Sequence, residues 1–337
     1  MSELFPLPGA ALSIVIFIVS AVAVWSAGAR LAYLADALSD RLSLSKSLSG
    51  LLILALGTSL PEVATTLAAA LRQNQHLVLN NLYGGVALQT AILAIADFWA
   101  RGAITYYPRR TTHILEALLL VGLLAVTLII VAFGELAIGW VGMGSILIAV
   151  AYASTIWLLR SHDPEGDWLP VDLPEEQDGA VPLFGKIDPE TPLSRLLTET
   201  TAAFAAILIF GVLLVVAAEG LAASTGMSHS FVGVSLLAAA TSLPELTTSI
   251  TAVRMGAYTM AISNIFGSNL IMLVLVFPAD LLFRNGPILR DVGATVPLAL
   301  GFGMLVTVIY IIGMVIRRKP KLGPFGLDSV LVFAVFM

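Results

Sequence analysis

Long apolar stretches alternate with short polar breaks along nearly all of the 337 residues. Stretches close to the roughly 20 residues that a helix needs to cross a ~30 Å hydrocarbon core fall at 9–35, 48–71, 77–99, 112–133 and 136–159. A second set falls at 197–223, 231–254, 258–283, 292–316 and 325–337. The pattern predicts an all-α polytopic membrane protein with about ten transmembrane helices. In the last stretch, about 13 residues at 1.5 Å each cover only roughly 20 Å, so a longer natural chain or an early stop is expected there. The first stretch is preceded by no lysine or arginine and continues past Arg30. A cleaved secretory signal has a basic start and a shorter core, so this stretch reads as a retained membrane helix.

Composition agrees with a bilayer as solvent. The chain is 58% hydrophobic and 12% charged, against about a quarter charged for a soluble domain, and its mean hydropathy is +0.96. There is no cysteine, which excludes disulfides, thiolate metal sites and cysteine nucleophiles. The net charge of −5 is concentrated: nine acids lie between Asp163 and Glu190, beside the single Lys186. Residues 161–195 therefore read as a solvated acidic linker between a first unit, 1–160, and a second, 196–337. The linker lacks the spacing of an EF-hand loop, and no basic stripe is present for nucleic acid. The histidines (His76, His113, His162 and His229) do not flank the paired acids described below, so a metallohydrolase constellation is missing and no enzymatic activity is expected.

The two sets of stretches are copies. A shift of 183 residues lays Gly57–Asp97 on Ala240–Asp280 without a gap, pairing Thr58, Ser59, Pro61, Glu62, Asn81, Gly84 and Asp97 with Thr241, Ser242, Pro244, Glu245, Asn264, Gly267 and Asp280. Upstream, Asp36 falls on Glu219 and Gly50 on Gly233; near the ends, Gly142–Leu147 resembles Gly326–Leu331. A unit of five spans is odd, so the second copy must enter the membrane from the opposite side, giving two inverted five-helix repeats. With the N-terminus outside, thirteen Lys and Arg residues lie on cytoplasmic segments, and the outside keeps only Arg72, Arg284 and Arg290. That bias places the acidic linker in the cytoplasm of a plasma (inner) membrane.

The repeated strings GTSLPE and ATSLPE carry the candidate chemistry. Proline has no amide hydrogen and clashes with the carbonyl four residues back, so Pro61 frees the Gly57 carbonyl and Pro244 that of Ala240. Free carbonyls in mid-membrane are tolerated where they line a cavity. Thr58, Ser59, Thr241 and Ser242 add hydroxyls, and Glu62 and Glu245 add two carboxylates. An all-oxygen set with two negative charges suits a hard cation such as calcium, and sodium less specifically. Each copy continues into Asn-x-x-Gly, where asparagine offers an oxygen and glycine lets helices approach. Asp97 and Asp280 are expected in structural or solvated positions. Asp36 and Glu219 are candidates for an ion pathway. Trp99, Trp140, Trp157 and Tyr310 are expected as interface anchors.

At these residues the sequence resembles the cation/calcium exchanger superfamily, its sodium/calcium exchanger branch above all. The resemblance is carried by GTSLPE and ATSLPE, followed at equal spacing by NNLYGG and SNIFGSN. It implies ten helices, a central site between helices 2, 3, 7 and 8, and electrogenic exchange of sodium for calcium. Carried over by position, Glu62 and Glu245 are the main calcium ligands, and Thr58, Ser59, Thr241 and Ser242 are carbonyl and hydroxyl ligands. In helices 3 and 8 the family pattern is similar to Gly-Ser-Asn-x-x-Asn. Here Ser268 is kept, Gln89 still offers an oxygen, and Gly85 and Met272 offer none.

These departures bear on which ions are used. Expelling calcium against a ten-thousandfold gradient and 100 mV costs about 10 kcal/mol, and one sodium entering down a tenfold gradient yields about 3.7 kcal/mol. About three sodium ions are then needed, which a site with fewer oxygens is less able to hold. The expectation is a secondary cation antiporter without a cofactor, with calcium and sodium or protons as transported ions and the lipid bilayer as partner. Two alternatives stay open: a cation/proton exchanger of the same fold, and a diverged cation-binding sensor or subunit without exchange.

Overall fold

The computed structural model describes residues 9–100, 102–108, 111–161, 187–225, 239–317 and 321–336. Most of the acidic linker at 161–195, the first part of the stretch at 231–254 including Gly233, and several of the counted cytoplasmic cations (Arg101, Arg109, Arg110, Lys186, Arg318 and Lys319) lie outside the described residues.

The described elements are helical and follow the hydrophobic stretches. The first half contains α1 (Ala10–Arg41), the bent pair α2 (Lys46–Thr58) and α3 (Leu60–Leu71), α4 (Gln75–Ala96), α5 (Thr112–Phe133) and α6 (Met143–Ser161). The second half contains α7 (Leu193–Ser224), α8 (Leu243–Arg254), α9 (Tyr258–Val274), α10 (Val276–Leu282), α11 (Thr295–Ile316) and α12 (Leu327–Phe336). Among the described residues, seven helices are long and apolar enough to cross a membrane, and the bent α2–α3 pair makes an eighth. The short α12 is apolar as well. The protein is a multi-pass integral membrane protein.

Burial separates the elements. The spans containing α4 and α9 are the most enclosed, whereas α1 turns Ile14, Val15, Ile18, Val19 and Val22 outward, as a helix facing lipid does. Helices α1 and α7, 32 residues each, pack along one another. At about 48 Å each they exceed the hydrocarbon thickness, so they tilt or protrude.

Two small hairpins start α6 and α12: β1 (Ala137–Ile138) with β2 (Val141–Gly142), and β3 (Lys321–Leu322) with β4 (Phe325–Gly326). Their turns carry Gly139 at φ 66° and Gly323 at φ 67°, a region where only glycine avoids a Cβ penalty. Each hairpin is clamped by an aspartate from the other half of the chain. Asp97 accepts from the backbone N–H groups of Ile104 (2.7 Å) and Gly326 (2.6 Å). Asp280 accepts from the N–H groups of Ile288 and Gly142, both at 2.7 Å, and from the Ser145 hydroxyl at 2.6 Å. Both aspartates are fully buried; their place is structural, not solvated. Glu135, in the loop after α5, shares this second clamp by accepting from the Ser145 and Leu289 N–H groups. Burial first, and then the neighbouring Asp280, push its carboxyl above the ordinary glutamate range.

Trp99, Trp140 and Trp157 are exposed, at 41%, 45% and 70%, as the anchor reading requires. Tyr310 corrects that reading. It is fully buried on α11 beside Asp97, Asp328 and Ser329, because its ring is part of the main hydrophobic core.

Candidate cation site

The proline motifs break their helices as the missing amide hydrogen dictates. Helix α2 ends at Thr58, Ser59 stands at the break, and α3 starts at Leu60 with Pro61 in its first turn; the axes meet at 50°. Ser242 stands likewise before α8, with Pro244 in its first turn. Glu62 and Glu245 thereby fall in the first turn of a new helix, where the helix dipole favours an anion.

The break brings Thr58, Ser59, Glu62, Glu245 and Ser268 together from both halves. Thr58, Ser59, Glu62, Glu245, Ser268 and Gln89 are each at most 1% exposed, Ser242 is 7% exposed, and Thr241 is half-buried. The Thr58 hydroxyl lies 3.3 Å from that of Ser268. The carboxyls of Glu62 and Glu245 interact electrostatically, and Thr58 and Ser59 lie beside Glu245. Yet no carboxylate oxygen of either glutamate has a hydrogen-bond partner, nor does Ser59 Oγ, either amide atom of Gln89, or the side-chain oxygen of Asn264 or Asn269. A buried unpartnered polar group costs about 1–3 kcal/mol. The eight oxygens among these atoms are the kind of ligand that a hard cation takes.

The surrounding polar groups hold these residues in place. Asn81 donates to Thr66 Oγ1 at 2.9 Å, and its repeat mate Asn264 donates to Thr248 Oγ1 at 3.0 Å and Ser249 Oγ at 3.2 Å. Asn269 Nδ2 donates to Thr90 Oγ1 at 2.9 Å, tying α9 to α4. The glycines of the two motifs part ways. Gly267 packs on Leu51 and Ala55, whereas Gly84 is exposed with nothing near it. Gly85 and Met272, from different halves, meet: the Met272 methyl lies 3.0 Å from where a Cβ on Gly85 would stand.

A cleft is lined by Thr65, Leu77, Asn81, Glu219 and Thr241 among others, with Arg72 also on its wall; of the predicted donors it reaches Thr241. The matching positions of the second repeat are closed: Thr248, Met260 and Asn264 are buried where Thr65, Leu77 and Asn81 are not. Asp36, the mate of Glu219, is paired with Lys46 at 2.7 Å.

Three features escaped the sequence reading. Gly28 on α1 and Gly211 on α7 lie 183 residues apart and face the two breaks, Gly28 against Thr247 and Gly211 against Pro61; the repeat register was the signal that pointed to them. A π-turn, Gly50–Leu54, sits within α2. Glu116 is buried and accepts from Ser47 Oγ (2.5 Å) and Ser263 Oγ (2.7 Å), with His113 Nδ1 3.0 Å from the latter. An acid inside an apolar stretch was its visible sign.

Comparison with known proteins agrees with this architecture. The family model described as sodium/calcium exchanger protein matches residues 12–159 and 200–337. The putative antiporter CaxA of Alkalimonas amylolytica is 29% identical over 269 residues, covering 79% of this chain and 78% of that protein. The inner membrane protein YrbG of Escherichia coli K12 is 28% identical over 272 residues, covering 77% and 76%. Mouse sodium/potassium/calcium exchanger 1 is 33% identical over 137 residues, which is 39% of this chain and 12% of that protein. A solved structure of the sodium–calcium exchanger NCX_Mj, soaked with 10 mM Na+ and 10 mM Sr2+, superposes with a TM-score of 0.71 over 96% of each chain at 16% identity, a likeness of fold.

Proposed function

Because this chain belongs to the sodium/calcium exchanger protein family, a family of secondary transporters and not of enzymes, we propose that it is an antiporter that moves calcium out of the cell in exchange for sodium. Its fold is then two inverted five-helix repeats, 1–160 and 196–337, joined by a cytoplasmic acidic linker at 161–195. The N-terminus lies outside, in the plasma (inner) membrane. Repeat-related residues with like environments support this: the Asp97 and Asp280 clamps, the Asn81 and Asn264 bonds, and the Gly28 and Gly211 crossings.

The observation that carries the reading is the pair of buried, unpartnered carboxylates, Glu62 and Glu245, within one layer of oxygen donors. Two such charges in a low-dielectric interior demand compensation. A calcium ion supplies two positive charges and takes six to eight oxygens; Thr58, Ser59, Thr241, Ser242, Ser268 and Gln89 are the further donors. Calcium and its replacement ions share this layer, so only one set occupies it at a time. Alternating access follows when α1 and α7 shift against the rest, closing the cleft at Arg72 and Glu219 and opening the end at Asp36 and Lys46.

The test is cation flux in proteoliposomes. Glu62→Gln and Glu245→Gln are each expected to abolish calcium uptake driven by an imposed sodium gradient, with the protein inserted and monodisperse. Transport at the wild-type rate by either variant overturns the site. Calcium binding without flux in the wild type favours a sensor, and flux that follows pH in place of sodium makes the counter-ion a proton.

A further inference from the structure

The charge of the site and one packing contact together bear on stoichiometry, an inference that rests on the antiport reading. Glu62 and Glu245 are the ionisable groups of the donor layer among the described residues. The segment at 226–238 contains no acid, lysine or arginine. Other charges near the pathway come in opposite-sign company: Asp36 with Lys46 at one end, and Glu219 with Arg72 on the wall of the same cleft. The site therefore carries a fixed charge of −2 when both glutamates are ionised. An uncompensated buried charge is costly. A form that passes through the occluded state is then favoured when it holds two positive charges, as one divalent ion or as two monovalent ions. A third monovalent ion would bring net charge into the interior and would need further oxygen ligands.

The contact between Gly85 and Met272 closes the place where those ligands would stand. Met272 lies one helical turn beyond Ser268 on α9, and Gly85 one turn before Gln89 on α4, so both flank the donor layer. Gly85 contributes no side chain, and the Met272 methyl occupies the adjoining space at 1% exposure. Among the atoms within 4 Å of a Cβ built on Gly85, that methyl is the one found, and it is apolar. We propose that this protein exchanges one divalent cation for two monovalent cations with no net charge moved, and that the Met272–Gly85 contact is the wedge that keeps out a third.

Purified protein in proteoliposomes tests this through two readings. The first is the calcium gradient reached at equilibrium as the sodium gradient is varied. The expected exponent is two, so a tenfold sodium gradient sustains a hundredfold calcium gradient. The second is the response to potassium diffusion potentials of either sign. None is expected, whereas exchange moving one net charge would shift the calcium gradient about 50-fold per 100 mV. If sodium drives nothing, the same exponent is read with a proton gradient. An exponent of three, or a gradient that follows voltage, overturns the stoichiometry and leaves the antiport reading standing. No uptake under either counter-ion gradient overturns the antiport reading itself. For the wedge, Met272→Asp and the near-isosteric Met272→Glu add a third carboxylate. Whichever variant assembles is expected to raise the exponent toward three or to make flux follow voltage, and an unchanged exponent of two without voltage dependence removes Met272 from that role.

Discussion

Asp97 and Asp280 each accept two backbone N–H groups, whereas the carboxylate oxygens of Glu62 and Glu245 make no close hydrogen bond, with the Thr58 and Ser59 hydroxyls beside Glu245. All four are buried acids in an apolar chain, and from spacing alone they look alike. What separates them is donor supply. A carboxylate clasped by peptide N–H groups is satisfied and holds structure; one without them is open to another partner, which on the proposed function is a cation. Glu135 lies between these cases and carries a prediction at this scale. Its carboxyl is held above the ordinary glutamate range by burial and by Asp280. A group whose folded-state pKa is raised contributes stability that is fully present below its unfolded value and is lost as pH rises through the folded value. Thermal unfolding of the detergent-solubilised wild type is therefore expected to move to lower temperature as pH rises upward from the ordinary glutamate range. Glu135→Gln is expected to lack that component of the slope. Parallel pH profiles for the two proteins would contradict the assignment.

Among the elements, the breaks at Ser59 and Ser242 follow from proline chemistry and could be placed from the sequence to within a residue. The crossing helices could not. Gly211 lets α7 close on the Pro61 ring, and Gly28 lets α1 close on Thr247, so each broken helix is braced by a helix of the other half. A methyl at Gly211 would meet Pro61, and overpacking of this kind costs about 1–3 kcal/mol, more than the up to ~1 kcal/mol of helix propensity that alanine gains over glycine. Gly211→Ala is thus expected to lower the unfolding temperature and to slow calcium flux. Gly84→Ala, with nothing within 4 Å of the added group, is expected to leave the unfolding temperature equal or higher. Reversal of this order in a thermal-shift measurement would show that the α7–Pro61 contact is not the tight one.

The molecule as a whole is asymmetric although its halves are related. The cleft is lined by the exposed Leu77, and the matching Met260 of the second repeat is buried. Because the chain has no cysteine, Leu77→Cys and Met260→Cys each introduce a single thiol. Alternating access predicts reciprocal labelling by a membrane-impermeant maleimide: Leu77→Cys from outside and Met260→Cys from inside. Conditions that raise one rate are expected to lower the other. Rates that rise together under every ion condition would point to a channel-like opening.

The sequence by itself determined the membrane class, the duplication, the proline breaks and the pair of glutamates, because these depend on hydropathy, local backbone chemistry and register. It also marked Gly85, Gln89 and Met272 as positions that depart from the family. Only the tertiary structure decided how those positions combine. Gly85 and Met272 are 187 residues apart, and their contact arises from the packing of α4 on α9, which periodicity does not encode. The same holds for Tyr310, which hydropathy placed at the membrane interface and packing drew into the core. It holds for Asp97 and Asp280 as well, whose backbone donors are supplied in part by the opposite half of the chain.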